Sequence, residues 1–259
     1  DAFGAEATLI NASPDGTNIN KKCGATHPNV CAKKIQEGNY EIGLSLDGDA
    51  DRSILCDSNA RIMDGDLILA GLATLLSKEL QLKGDTVVAT TMSNLALEKF
   101  LEQRDLKLIR TDVGDKYVTQ YMKDHNLNLG GEKSGHILFG DIHNFRGDGM
   151  FTLLQIMKYL SKHNLSSAEF AKGYCDYPQK IINLSVTHRC PMKELTNITE
   201  VSKKIETSLK QRGRAVIRFS GTELLLRLMV EADSESLVDE SLKTLINAAK
   251  KDGILTENF

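Results

Sequence analysis

The sequence predicts an α/β protein: two successive α/β domains with mixed or mainly parallel sheets, the first incomplete, followed by a small α+β domain at the C-terminal end. Three observations carry that expectation. Short apolar runs alternate with segments of helical period as far as about Gly173. The Tyr177-Pro178 stretch then reads as a connector, and after it the pattern changes to strand, helix, two strands and helix.

The elements follow in order. Ala7 to Ile10 reads as a strand, Pro28 to Glu37 as a helix, and Tyr40 to Leu46 and Ser53 to Asp57 as strands. These close a first domain over residues 1–61. From Gly65 to Lys83 the residues Leu67, Ile68, Leu72, Leu75 and Leu76 recur at helical spacing, and strand Thr86 to Thr91, helix Leu95 to Gln103 and strand Leu106 to Thr111 come next. That alternation predicts a parallel sheet and a second domain over residues 62–174. The third domain, residues 178–259, comprises strand Lys180 to Val186, helix Lys193 to Lys210, strands Arg214 to Phe219 and Leu224 to Glu231, and helix Ser234 to Lys250. Asp1 falls inside a helix-to-strand passage, so the chain is expected to be a piece of a longer one.

Bulk composition removes several classes of function. A formal net charge of -3, with basic and acidic residues interspersed, gives no basic excess for a nucleic-acid backbone. No apolar run approaches the roughly 20 residues that cross a bilayer, and no charged-then-apolar leader opens the chain, which points to a cytoplasmic location without a membrane partner. Five cysteines, Cys23, Cys31, Cys56, Cys175 and Cys190, form no CxxC pair and fit reduced core thiols.

Three loops carry chemistry. Leu46-Asp47-Gly48-Asp49-Ala50-Asp51-Arg52 sets three carboxylates between small residues directly after an apolar strand. Converging within ~4 Å, each pair would repel by about 4 kcal/mol at an effective dielectric near 20, so convergence requires a cation. An EF-hand calcium loop fails on spacing, because its glycine position holds Arg52 and its glutamate position Ser58; Mg²⁺ remains, against the alternative of an acidic turn splayed into water. Gly130-Gly131-Glu132-Lys133-Ser134-Gly135-His136 is no P-loop, since Lys133 precedes the later glycine. Its Glu132 and Ser134 offer an acceptor and a donor for sugar hydroxyls, and His136 an acid, a base or a phosphate contact, although such a stretch also serves as a plain turn. Arg218-Phe219-Ser220-Gly221-Thr222-Glu223, with Arg227 beyond it, offers guanidinium, hydroxyl and amide donors for an anion, or else a simple hydroxyl-rich hairpin.

The three loops together, DGDADR, GEKSGH and RFSGTE in this order, resemble the metal-, sugar- and phosphate-binding loops of the α-D-phosphohexomutases over the whole chain. Pro14-Asp15-Gly16-Thr17-Asn18-Ile19-Asn20, Cys23-Gly24-Ala25-Thr26-His27-Pro28 and Met92-Ser93-Asn94-Leu95 are most similar to the glucosamine-phosphate branch. The resemblance implies a four-domain enzyme with a phosphorylated serine on a first domain that is not in this chain, so the chain alone is expected to be inactive. It implies Mg²⁺ on Asp47, Asp49 and Asp51, sugar selection by Glu132 and Ser134, and a phosphate held by Arg218, Ser220, Gly221, Thr222 and Arg227. His136 and Arg52 become the candidate catalytic residues. The implied reaction interconverts glucosamine 6-phosphate and glucosamine 1-phosphate through a bisphosphate. The implied partners are a sugar phosphate, the N-terminal domain of the same polypeptide and, in the full-length enzyme, a second copy.

Two departures stand against the family pattern. Leu224 replaces a proline and is expected to loosen the phosphate turn, and Phe145-Arg146 replace small hydroxyl residues. The rivals are a sister phosphomannomutase or phosphoglucomutase, and a non-catalytic phosphosugar-binding relative.

Overall fold

The computed structural model describes residues 4–220 and 223–256. It divides into two compact units, the first holding the chain up to Ser93 and Leu97–Tyr174, the second Asn94–Ala96 and the chain from Cys175 onward.

The first unit opens with residues that form no strand. The expected strand from Ala7 to Ile10 is absent, and Leu9 is exposed. No described strand pairs with this segment, and an unpaired strand leaves its backbone groups to water. Helix α1 (Asn29–Gln36) buries Cys31, Ala32 and Ile35 against strand β1 (Ile42–Leu46). Strand β2 (Ser53–Asp57) pairs with β1 and with β3 (Ile62–Met63), giving a sheet of order β1-β2-β3 that is antiparallel throughout. A crossover is excluded because the acidic loop between β1 and β2 is too short to reverse the chain twice.

Helix α2 (Gly65–Lys78) stops before the expected Lys83, since Leu80 turns left-handed at φ 55°. Asp64 caps it by accepting from the Leu67 amide at 3.1 Å. Gly71 lies flat on the Phe170 ring, where an added Cβ would come within 2.3 Å. Strand β4 (Thr86–Thr90), helix α3 (Leu95–Glu102), strand β5 (Lys107–Thr111) and helix α4 (Asp115–Asp124) follow in the expected alternation. The sheet runs β5-β4-β6-β7, where β6 is Leu129–Gly131 and β7 is Ile137–Phe139. Its β4–β5 and β4–β6 pairs are parallel, while β6 and β7 form an antiparallel hairpin that projects the Gly-rich loop. Helices α5 (Gly140–His143) and α6 (Gly149–His163) complete the unit, the latter capped by Asp148 through the Phe151 amide at 2.8 Å.

The second unit is an antiparallel sheet of order β8-β10-β9, with β8 at Gln179–Ser185, β9 at Gly213–Phe219 and β10 at Leu225–Ala232. Helices α7 (Thr196–Leu209) and α8 (Glu235–Lys251) pack on it. The stripe Val238, Leu242, Leu245 and Ala249 on α8 meets Leu184, Leu226, Leu228 and Val230 of the sheet in one apolar core. Among the described residues, no helix is long and apolar enough to cross a membrane.

Candidate functional site

The first unit brings two of the three predicted loops onto one framework. Strand β1 ends at Leu46, whose carbonyl accepts from the Ala25 amide at 2.9 Å. Gly24 makes that approach possible with φ 76°, because a Cβ there would lie 2.5 Å from the Leu46 oxygen. Past Leu46 the chain turns through Ala50, left-handed at φ 61°, and the Ala50 carbonyl accepts from the Gly149 amide at 2.9 Å. A left-handed alanine costs ~1 kcal/mol, so the turn is held by its surroundings and not by local preference.

That turn gathers Asp47, Asp49 and Asp51 with one carboxylate oxygen from each within 4.8 Å of the others. Arg52 partly balances them, its amide on Asp47 Oδ1 at 3.1 Å and its Nε 3.5 Å from Asp47 Oδ2 and 3.8 Å from Asp51 Oδ1. His136 Nδ1 lies 3.1 Å from Asp51 Oδ2. Burial raises the pKa of Asp51 most, and the charges of Asp47 and Asp49 raise it further, against the lowering influence of His136. Asp51 Oδ1 is buried and accepts no hydrogen bond, although it lies 3.8 Å from the Arg52 Nε. Three carboxylates gathered in this way offer the hard oxygen donors that fit a divalent cation such as Mg²⁺.

The Gly-rich loop locks against this turn. Glu132 donates its amide to the His136 carbonyl and the Gly135 amide returns to the Glu132 carbonyl, both at 2.9 Å. The Ser53 amide donates to Gly135 O and the Gly65 amide to Lys133 O, each at 3.0 Å, so the hairpin tip is wedged between β2 and the start of α2. His136 is buried, and Gly147 lies on its ring so closely that a Cβ would come within 2.4 Å. Lys133 turns to Asp64 and Asp66 at 2.9 and 3.3 Å. Ser134 is exposed and Glu132 half-buried.

Sequence reasoning missed Gly114. The Glu132 carboxylate accepts from its amide at 3.2 Å, at the turn where β5 passes into α4. The signal was present, a glycine between an apolar strand and an amphipathic helix with φ 130°, the setting in which helix-start amides meet anions.

The third loop belongs to the second unit. Arg218 and Arg227 stand directly opposite each other on β9 and β10, an arrangement that like charges disfavour without an anion between them. Arg218 is exposed. Arg227 holds Glu223 through Nη2 at 3.2 Å, while its Nε is buried without a hydrogen-bond partner. Ser220 is buried, donates its amide to Leu225 O at 2.8 Å and accepts the Glu223 amide at 3.3 Å. Gly221 and Thr222 lie outside the described residues. Of the departures, Leu224 is exposed and offers its carbonyl to Val186. Phe145 packs with Val118 and Met122 over Gly140, whose missing side chain makes the room.

Comparison with known proteins places this geometry. Residues 64–177 match the model for "Phosphoglucomutase/phosphomannomutase, alpha/beta/alpha domain III", and residues 181–248 that for the C-terminal domain of the same family. The chain is 42% identical over 252 residues to a phosphoglucosamine mutase of Aliarcobacter butzleri, covering 97% of this chain and 56% of that protein. A phosphoglucosamine mutase of Lactobacillus acidophilus is 41% identical over 96% of this chain and 55% of its own length. The chain thus spans about half the length of the curated relatives it matches. Among solved structures, a phosphoglucomutase/phosphomannomutase family protein of Burkholderia thailandensis superposes with a TM-score of 0.70 at 20% identity, over 88% of this chain and 51% of that one. The Aspergillus fumigatus N-acetylphosphoglucosamine mutase, in complex with GlcNAc-6P and magnesium, gives 0.67 at 22% identity, over 89% and 57%. With two domain models of one family together spanning most of the sequence, the chain belongs to the phosphoglucomutase/phosphomannomutase family.

Proposed function

We propose that this chain is the cation-, sugar- and phosphate-binding part of a cytoplasmic phosphoglucosamine mutase, which interconverts glucosamine 6-phosphate and glucosamine 1-phosphate. The observation that carries the reading is the convergence of Asp47, Asp49 and Asp51, one carboxylate oxygen of each within 4.8 Å of the others, with His136 against Asp51. The names and identities of the curated relatives support the amino-sugar assignment. In domain terms, residues 1–61 would supply the metal loop, 62–174 the sugar loop and 178–259 the phosphate loop.

Asp47, Asp49 and Asp51 would hold Mg²⁺. Bound there, the ion would neutralise charge on the transferred phosphoryl group and on its leaving oxygen. Arg52 keeps Asp47 and Asp51 oriented, and the His136 imidazole fixes the other carboxylate oxygen of Asp51; His136 would be the group that moves a proton. Glu132 accepts from sugar hydroxyls with its carboxylate steadied by the Gly114 amide, and Ser134 donates. Arg218, Ser220, Gly221, Thr222 and Arg227 hold the phosphate that is not reacting. The serine that accepts and returns the phosphoryl group belongs to a part of the polypeptide outside these residues.

The test is a comparison of kcat/KM for the polypeptide that carries this chain on glucosamine 6-phosphate, mannose 6-phosphate and glucose 6-phosphate. The reading expects the amino sugar to lead; a lead for either neutral sugar overturns the assignment in favour of a sister phosphomannomutase or phosphoglucomutase.

A further inference from the structure

A pair of thiols lies apart from the loops described above. Strand β1 carries Gly43 directly opposite Cys56 of β2, and opposite residues of an antiparallel pair point to the same face of the sheet. Helix α1 covers that face and sets Cys31 on it. A Cβ at Gly43 would lie 2.4 Å from Cys31 Sγ, so the sulfur fills the space a side chain at 43 would take, beside Cys56. Both cysteines are buried in one small cluster with Ala32 and Ile35, where the Cys56 thiol donates to the Pro28 carbonyl at 3.9 Å.

We propose that Cys31 and Cys56 form an oxidant-sensitive dithiol, which hydrogen peroxide converts to an intramolecular disulfide joining α1 to β2. In the first step a Cys31 sulfur lone pair attacks one peroxide oxygen. The O–O bond breaks, one water leaves, and Cys31 becomes a sulfenic acid. Cys56 sulfur then attacks the Cys31 sulfur, the S–S bond forms, the S–O bond breaks and a second water leaves. Two thiols lose two hydrogens and two electrons, and one peroxide is reduced to two waters. The order of attack follows from the surroundings of the two thiols. Cys56 and Ser45 stabilise the Cys31 thiolate and hold its pKa below the usual thiol range, whereas Cys31, burial and the neighbouring charges push Cys56 up.

The experiment is peptide mapping of the whole chain after hydrogen peroxide treatment and alkylation. Trypsin releases residues 23–33, which contain Cys23 and Cys31, and residues 53–61, which contain Cys56. The proposal expects these two peptides linked, the link cleaved by dithiothreitol, retained in Cys23→Ser and lost in Cys31→Ser. If Cys31→Ser does not fold, fragmentation of the linked peptide from Cys23→Ser locates the bond. Alkylation of both Cys31 and Cys56 after peroxide, a link that survives Cys31→Ser but not Cys23→Ser, or oxidation of Cys31 to the sulfinic acid without a link would overturn it.

Discussion

Replacing Asp49 by asparagine separates a cation site from an acidic turn that merely happens to be crowded. Asp49 is exposed and makes no ion pair among the described residues, whereas Asp47 and Asp51 are tied to Arg52 and His136. At the 4.8 Å limit that encloses the three oxygens, each carboxylate pair repels by about 3.5 kcal/mol at an effective dielectric of 20 and by about 0.9 kcal/mol in bulk water. Solvent screening at Asp49 favours the lower figure. Two such pairs vanish in Asp49→Asn, so without added metal the variant should be more stable than the parent by ~1 kcal/mol, Arg52 having already offset part of the repulsion. With metal the sign reverses. A millimolar site at ten times its dissociation constant stabilises the parent by ~1.4 kcal/mol, and the variant should lose most of that. Thermal unfolding of both chains in EDTA and in 10 mM MgCl₂, the concentration being about ten times a millimolar dissociation constant, reads the two effects separately. Equal Mg²⁺ shifts in parent and variant, or a variant less stable in EDTA, would refute the reasoning.

Four further outcomes follow from the same geometry. Arg227→Met removes one of two facing guanidiniums, so the chain should be as stable or more so in phosphate-free buffer while losing its thermal shift with inorganic phosphate; an undiminished shift contradicts the anion cradle. In the parent polypeptide, Glu132→Ala should lower kcat/KM by the equivalent of one or two charge-assisted hydrogen bonds, ~1.5–3 kcal/mol each, and wild-type kinetics would remove Glu132 from the sugar site. Gly147→Ala places a Cβ within 2.4 Å of the His136 ring, so it should cost ~1–3 kcal/mol and shift the His136 imidazole resonances, whereas unmoved resonances would show that the ring is not held by this packing. Burial alone would raise the pKa of Asp252, but the Asn197 side chain and the Ile198 and Asn197 amides at the start of α7 outweigh it and leave it lowered from 3.8. Its contribution is therefore present above that value and lost as pH falls below it, and Asp252→Asn should be ~1 kcal/mol less stable near neutral pH with that part of the acid dependence gone. Acid melts that superpose would contradict the linkage.

Much of the fold was legible because its periodicities are clean. Leu67 to Leu76 and Val238 to Ala249 announce helices by spacing alone, and the run Thr86 to Thr91 announces a buried strand. The expected mixed sheet is present in β5-β4-β6-β7, and antiparallel pairs fall where loops are short, at Asp47–Arg52 and at Glu132–His136, connection length deciding strand direction there. Ala7 to Ile10 misled because a β-forming composition is worth little without a neighbour to pair with. Residue types identified the acidic turn, but its tertiary supports were not legible. Gly149 under Ala50, Gly147 under His136 and Gly114 beside Glu132 are glycines far apart in sequence that matter through what a side chain would strike or what their amides reach. The facing of Arg218 and Arg227 likewise required the register of β9 and β10.

The central claim is that the turn after β1 is a divalent-cation site built for phosphohexose chemistry. The most direct measurement is an anomalous difference map from crystals of this chain soaked in MnCl₂, Mn²⁺ standing in for Mg²⁺. The account predicts a peak bounded by carboxylate oxygens of Asp47, Asp49 and Asp51, and its loss in Asp49→Asn. A map with no peak there, or with its peak at another cluster of acids while these three carboxylates point apart, would contradict it.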